Sequence, residues 1–422
     1  MRCLWLSRFL PFPQTAGDRI YTARLAAALA GAGAEVTFAG LAGEEAPPPP
    51  PPGLRWHLVP GPPRGQVAAL ASMLPLVAAR HATPAYRAAI GEFARAGGPW
   101  DAVLLDQYGM GWAARYRPAF GPRPPVFVFI AHDHEESVTR LQAQDPSASL
   151  PARLYLAQNH TKTRRLERRT ARICDLVTTI TDADAALFQA NAPGLRTVVL
   201  TPGYDGPRIA SREIGPATPR VALVLGSFRW SAKQANLRML LDHADATLAA
   251  AGIELRVVGD MPDAFRRWLE GRYRSIRVTG RVEDPMPHLA AARLAVVAEP
   301  IGGGFKMKLL EYVFHRVPVV ALAACAAGLP PAIRSAMLLH DDMDALLAGT
   351  VAAMDDLPRL NALQQRAYTA AEGGFDWADR GRALLDAIRV ARSVAPAGHG
   401  TAEAGAAMPP RPVAALNRAV DA

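Results

Sequence analysis

Three consecutive glycines between an apolar run and a helical pattern constrain this chain most. Residues 294–298 are apolar throughout and read as a buried strand. Residues 305–314 carry apolar side chains at helical spacing, and Gly302, Gly303 and Gly304 lie between the two. A strand, a glycine turn and a helix start form a backbone cradle that admits an anionic group close to the helix N-terminus. Lys306 and Lys308 add positive charge, and Glu311 on the first turns of the helix supplies one carboxylate. A single carboxylate beside such a cradle suits ribose hydroxyls better than phosphate. The segment 299–311 therefore points to a nucleoside-diphosphate ligand.

The rest of the chain repeats the strand–helix alternation in two blocks, which predicts parallel sheets in two α/β domains. In the first block, strands are expected at 2–6, 35–38, 54–59, 101–105, 126–131, 176–180 and 197–200. Helices are expected at 19–30, 67–80, 84–96 and 152–172, the third with Thr83 as N-cap and Pro84 in its first turn. The proline run 47–52 has no backbone donors and reads as an exposed connection. The second block has strands at 221–225, 255–258, 276–279, 294–298 and 317–322, and ends in helices near 344–354, 358–371 and 377–394. The predicted boundaries are a first domain at 1–200, a Gly- and Pro-rich linker at 201–218, a second domain at 219–375, a C-terminal helix at 376–394 and a disordered tail at 395–422.

Composition excludes several classes. With 422 residues, half of them hydrophobic, the chain has material for two cores. No apolar run reaches membrane-spanning length, and Arg8, Pro11 and Pro13 interrupt the N-terminus in a way that argues against a secretory signal. Cys3, Cys174 and Cys325 have neither metal-ligand nor redox spacing, so a reducing, cytoplasmic setting is expected. The net charge of +9 suits anionic small molecules or a lipid surface. Nucleic acid is disfavoured, because no zinc-finger spacing, basic zipper or aromatic-interleaved basic strand is present.

Three further segments carry chemistry. The loop 11–19 after the first strand contains Gly17, which allows close backbone approach, and starts a helix near Asp18; it does not fit a G-x-G-x-x-G fingerprint. The segment Ile130-Ala131-His132-Asp133-His134-Glu135-Glu136 follows an apolar strand; a sugar-facing His132, a metal site and a plain polar loop are the alternatives. The strand 221–225 leads through Gly226 to Arg229 and Lys233, which by themselves read as solvated loop charges. Asp182 and Asp184, after Thr181, read as acidic first-turn residues of a helix rather than a metal pair. The basic stretch 162–172 is either a solvated helix face or a docking face for anionic lipid, without a clean apolar side.

In their order, these motifs resemble the GT-B-fold glycosyltransferases of the group 1, family 4 type, over most of residues 1–394. The resemblance implies two Rossmann-like, doubly wound domains facing an interdomain cleft. It implies transfer from a nucleotide-diphosphate sugar to an unknown acceptor, with retention and with no cofactor or metal. The hexosyltransferase type and polysaccharide biosynthesis are the expected setting. The family's usual pair of glutamates, eight positions apart, would fall at 303 and 311; here they are Gly303 and Glu311. The stretch 302–311 instead fits the Gly-x-Gly-x-Lys-x-Lys-x-x-Glu branch. By this likeness His132, Lys306 and Glu311 are the catalytic candidates. Gly17, Arg229, Lys233, Arg281, Val282, Gly302, Gly303, Gly304, Phe305 and Lys308 would hold the donor, with Arg281 and Val282 near the base. Asp133 departs from the family's usual asparagine. A nucleotide-sugar 2-epimerase on the same fold and a non-catalytic nucleotide-sugar-binding protein are the alternatives. Peripheral contact with the inner membrane surface is a further expectation.

Overall fold

The computed structural model describes residues 1–394 apart from 15, 97, 145–148, 302 and 303. The tail expected at 395–422, and Gly302 and Gly303, lie outside the described residues. The chain forms two compact units, Met1–Leu200 with the chain from Ala378 onward, and Thr201–Trp377.

Seven strands make the sheet of the first unit: β1 (Arg2–Phe9), β2 (Glu35–Leu41), β3 (Leu54–Val59), β4 (Ala102–Asp106), β5 (Val126–Ile130), β6 (Leu176–Thr179) and β7 (Thr197–Val199). Their order is β3-β2-β1-β4-β5-β6-β7 and each pairing is parallel. Every residue of β4 and β5 is buried, because helices cover both faces of a parallel sheet. Strand order reverses between β1 and β4. The loops leaving their carboxyl ends diverge there and open a crevice.

Local expectations succeed where one residue decides. Thr83 Oγ1 accepts from the Tyr86 amide at 3.1 Å, and Thr181 Oγ1 accepts from that of Asp184 at 3.1 Å, so both cap helices. The single helix expected over 67–80 is instead two short ones, Gln66–Leu70 and Leu76–His81. Pro75, extended at φ −60° and ψ 152°, separates them, since it can neither donate to the preceding turn nor fit within it. The 3-10 helix Tyr108–Phe120 and the helix Glu135–Ala143 were not anticipated. Gly109, Gly111 and Pro118 mask helical periodicity in the former, where a Cβ on Gly111 would lie 2.3 Å from Thr170 Oγ1.

In the second unit the strands are β8 (Val221–Leu225), β9 (Glu254–Val258), β10 (Ile276–Gly280), β11 (Leu294–Val297), β12 (Val319–Leu322) and β13 (Leu338–His340). The parallel order is β10-β9-β8-β11-β12-β13, with its reversal between β8 and β11. The stretch 201–218, read from sequence as a linker, is bonded along this unit. Arg208 donates to the carbonyls of Glu372 and Gly374, Arg212 to that of Arg316, and Asn361 Oδ1 accepts from the Ile214 amide. The helix Trp377–Val394 returns to the first unit, where a Cβ on Gly381 would lie 2.1 Å from the Ala28 carbonyl oxygen. Arg392 pairs there with Asp101. Among the described residues, no helix is long and apolar enough to cross a membrane.

Candidate active site

Each unit gathers charged residues at its own strand reversal. In the second unit the centre is Glu299, just beyond the carboxyl end of β11 and 7 % exposed. Lys308 Nζ donates to its Oε1 at 2.6 Å, Lys233 donates to Oε2, and Lys306 Nζ lies 3.6 Å from Oε2. Lys233 comes from the helix Ser231–Ala250 after β8, whereas Lys308 opens the helix Lys308–Phe314 after β11. The reversal thus brings both to one carboxylate. Three ammonium groups against one carboxylate leave a strongly positive cradle.

Burial alone would raise the Glu299 carboxyl, but the Lys308 and Lys233 charges overcome it and hold the group at about 2, against an ordinary 4.5. Its folded pKa lies below its unfolded one, so its contribution to stability is present above pH 4.5 and is lost as pH falls toward 2. The shift corresponds to about 3 kcal/mol. In urea unfolding, the stability gap between wild type and Glu299→Gln should therefore close as the pH drops through that window.

The backbone around this cradle is tightly specified. A Cβ on Gly226 would lie 3.2 Å from Lys308 Nζ, and Gly259, at φ +144°, would drive a Cβ to 1.7 Å from the Gly226 carbonyl oxygen. Tyr312 Oη accepts from the Leu225 amide at 2.7 Å, tying the helix Lys308–Phe314 to the end of β8. Asn236 accepts from the Ile301 amide at 3.0 Å and donates to its carbonyl at 2.8 Å, which pins the loop after Glu299. Gly304 takes φ +73°, a left-handed turn, and the helix begins at Lys308 rather than at Gly304 as expected. Phe305 lies 6.5 Å from Phe375, ring to ring.

The other candidates of this unit sit further out. Arg229 is largely exposed and pairs with Asp260 at the end of β9. Arg281 is exposed and Val282 half-buried, just after the Gly280 turn at φ +75°. Glu311 Oε1 lies 3.3 Å from His315 Nδ1. Burial raises the Glu311 carboxyl, opposed by His315. Tyr312 and Phe314 are fully buried, as core residues should be.

In the first unit the centre is Asp106, the last residue of β4, which is buried. It accepts from Ser7 Oγ at 2.7 Å, from Thr22 Oγ1 at 3.0 Å and from His132 Nε2 at 3.0 Å. Gln107 Nε2 lies 3.0 Å from His132 Nδ1, and the Tyr21 ring packs edge-on at 4.9 Å. These contacts fit an Nε2–H imidazole. Both ring nitrogens are therefore engaged by protein groups. Gln107 itself has φ +63° and ψ 163°, a region that costs a non-glycine residue about 1–3 kcal/mol and marks a constrained site.

Gly17 is the first residue of the helix Gly17–Gly31, whose N-terminus has no side-chain cap. Asp18 pairs with Arg8 at 3.1 Å, and Arg19 donates to the Phe12 and Pro13 carbonyls, holding the preceding loop against the helix.

His132 and His134 do not converge. His134 turns to Ser137 at 2.8 Å and Asn191 at 3.0 Å. With Glu136 and Glu167 it forms a group whose ligand atoms lie within 4.8 Å of one another. Arg168 grips Glu136 with two 2.7 Å bonds, and Glu167 accepts the Glu135 and Glu136 amides at 2.8 Å each. These bonds tie the cluster to the helices around it.

Glu299, Asn236, Asp106 and Gln107 went unassigned in the sequence reading. Two of them carried a signal, a carboxylate directly after an otherwise apolar buried strand. Gln107 carried none.

Comparison with known proteins fits this geometry. Residues 219–356 match the family model for glycosyl transferases group 1, and residues 17–203 match that for a glycosyl transferase 4-like domain. No curated protein matches the chain by sequence. WaaG, a glycosyltransferase involved in lipopolysaccharide biosynthesis, is 20% identical with TM-score 0.61, over 92% of this chain and 99% of its own. Alr3699/HepE from Anabaena, solved with UDP and glucose, is 15% identical with TM-score 0.59, over 92% and 100%. The α,α-trehalose 6-phosphate synthase from Burkholderia multivorans is 15% identical with TM-score 0.62, over 95% and 99%.

Proposed function

Because the chain belongs to the group 1, family 4-like glycosyltransferases of GT-B fold, which use nucleotide-sugar donors, we propose that it moves a hexosyl unit from a nucleoside-diphosphate sugar, with retention. The observation that carries this reading is the lysine cluster on Glu299 at the β8–β11 reversal. Glycosyl transfer develops negative charge on the departing diphosphate, and preorganised cations are the main electrostatic aid. Lys233, Lys306 and Lys308 take that role, and Arg229, paired with Asp260, adds no net charge to theirs. From the sequence motif, Gly302, Gly303, Gly304 and Phe305 are assigned to the phosphates, Glu311 to the ribose, and Arg281 and Val282 to the base. Within the first unit, Gly17 opens a helix whose uncapped N-terminus suits an anionic group, and His132 is assigned to the sugar or acceptor. With no carboxylate nucleophile assigned, retention follows a front-side route in which the leaving phosphate assists the incoming hydroxyl. Uridine nucleotides are the first donors to try, since Alr3699/HepE was solved with UDP and with UDP-glucose.

Calorimetric titration with UDP, GDP and ADP tests the donor half. Micromolar binding of one of them is expected, weakened at least about tenfold by Glu311→Ala, a loss of roughly 1.4 kcal/mol. A folded wild-type protein that binds none of the three would overturn the reading.

Peripheral membrane contact belongs to the same proposal. The basic stretch 162–172 is the second half of the helix Leu150–Ile173, and the first half exposes Leu150 (70%) and Leu154 (66%). Beside it run the exposed Val67, Leu70 and Met73, tied to the helix by Lys162 Nζ, which donates to the Ser72 carbonyl at 2.7 Å. Apolar side chains beside Arg164, Arg165 and Arg169 suit an anionic lipid surface. Cosedimentation with phosphatidylglycerol vesicles should occur at low salt, fall in about 0.5 M salt, and be lost in Leu150→Glu/Leu154→Glu. Equal sedimentation of the double variant would remove this face.

A further inference from the structure

Glu299 stands in an unusual position for a phosphate-binding cradle, since it adds negative charge where an anion is to bind. Two titratable groups beside it carry no charge. The Cys325 thiol, in contact with the Glu299 backbone, and the Tyr312 phenol are both pushed upward by burial and stay neutral. Lys233, Lys306 and Lys308 against Glu299 leave two net positive charges. An intact nucleoside-diphosphate sugar carries one negative charge on each of its two phosphates. The nucleoside diphosphate left after transfer has a freed terminal oxygen whose proton is lost near pH 6, which adds about one more charge.

We propose that Glu299 sets the charge of the cradle to match the intact donor rather than the product, and so limits how tightly the released nucleoside diphosphate is held. This rests on the nucleotide-sugar reading above. Without the carboxylate, three positive charges would match the product and favour it. Product release would then slow, and kcat and the donor KM would fall together while kcat/KM changed little. Glu299 acts through the lysines and is a positioning and charge-setting residue. A purely structural role, keeping the three lysines in place, would alter donor and product binding alike.

The test compares affinities for a nucleoside diphosphate and for its 2-fluoro sugar derivative, which resists transfer, by calorimetry on the full chain. Glu299→Gln is expected to shift the ratio toward the product by about tenfold, the scale of one added charge in such a site. Glu299→Asp should keep the wild-type ratio. Glu299→Gln/Lys233→Gln returns the count to two and should restore it. Lys233→Gln alone leaves one net charge and should shift the ratio toward the donor, which keeps the test usable if Glu299→Gln does not fold. Equal weakening or equal tightening of both ligands in Glu299→Gln would overturn the proposal while leaving the donor reading standing. A ratio unchanged in Lys233→Gln would overturn it as well. Wild-type protein that binds neither ligand would end both.

Discussion

Lys308→Met should lose at least about a hundredfold in kcat/KM, the scale seen when one preorganised charge-stabilising group is removed. The ammonium group donates to Glu299 Oε1 at 2.6 Å from a side chain that is only 16% exposed. Burial lowers the proton affinity of Lys308, and Glu299 works against that, so the pair holds the charge in place. Because it is buried and fixed before the ligand arrives, it costs no reorganisation when charge develops on the diphosphate. Methionine keeps most of the volume and leaves Glu299 with Lys233 and Lys306. The stability loss should therefore stay near 2 kcal/mol, below the cost of stranding a buried charge altogether. Steady-state kinetics with a donor that turns over, alongside urea unfolding, checks both numbers. Wild-type kcat/KM would remove Lys308 from the reacting region, whatever its effect on stability.

The second large effect is expected in the first unit. Asp106→Ala should destabilise it by about 3–4 kcal/mol, because three buried donors lose their acceptor at once. Those donors are Ser7 Oγ, Thr22 Oγ1 and His132 Nε2. For a unit of this size that corresponds to a fall in melting temperature of about 6–16 °C. Asp106→Asn keeps one acceptor oxygen but turns an amide toward a group that also donates, so about half that loss is expected. Differential scanning calorimetry resolves the two. An Asp106→Ala protein that melts with the wild type would mean the carboxylate bonds are worth little. His132 should feel the change too, since its ring is held by Asp106, Gln107 and the Tyr21 face.

How far the chain could be read in advance depends on how local each feature is. Thr83 was legible as a cap because a cap involves residues three apart. The break at Pro75 was open to the same reasoning, yet the apolar residues on either side suggested one helix where there are two. The 3-10 helix Tyr108–Phe120 had no periodicity to find. Glu299 lay within the opening motif, but nothing nearby in sequence shows that Lys233, 66 positions earlier, completes its shell. Ser7 and Asp106 are 99 positions apart and meet only because β1 and β4 are neighbours in the sheet.

The sequence by itself determined the strand–helix alternation, the two α/β blocks, the glycine turn with its lysines, and through these the family. Each follows from short-range periodicity or from spacing within one turn, which backbone geometry dictates regardless of the remaining chain. Only the tertiary structure decided the strand orders, the return of the last helix to the first unit, and which charges meet. Strand order is a choice among chain paths with the same local pattern. A buried carboxylate acquires its partners only once that choice brings distant loops to the same sheet edge. The glycine-and-lysine motif was thus legible locally, while only the fold gathered Lys233 with Lys306 and Lys308 around Glu299.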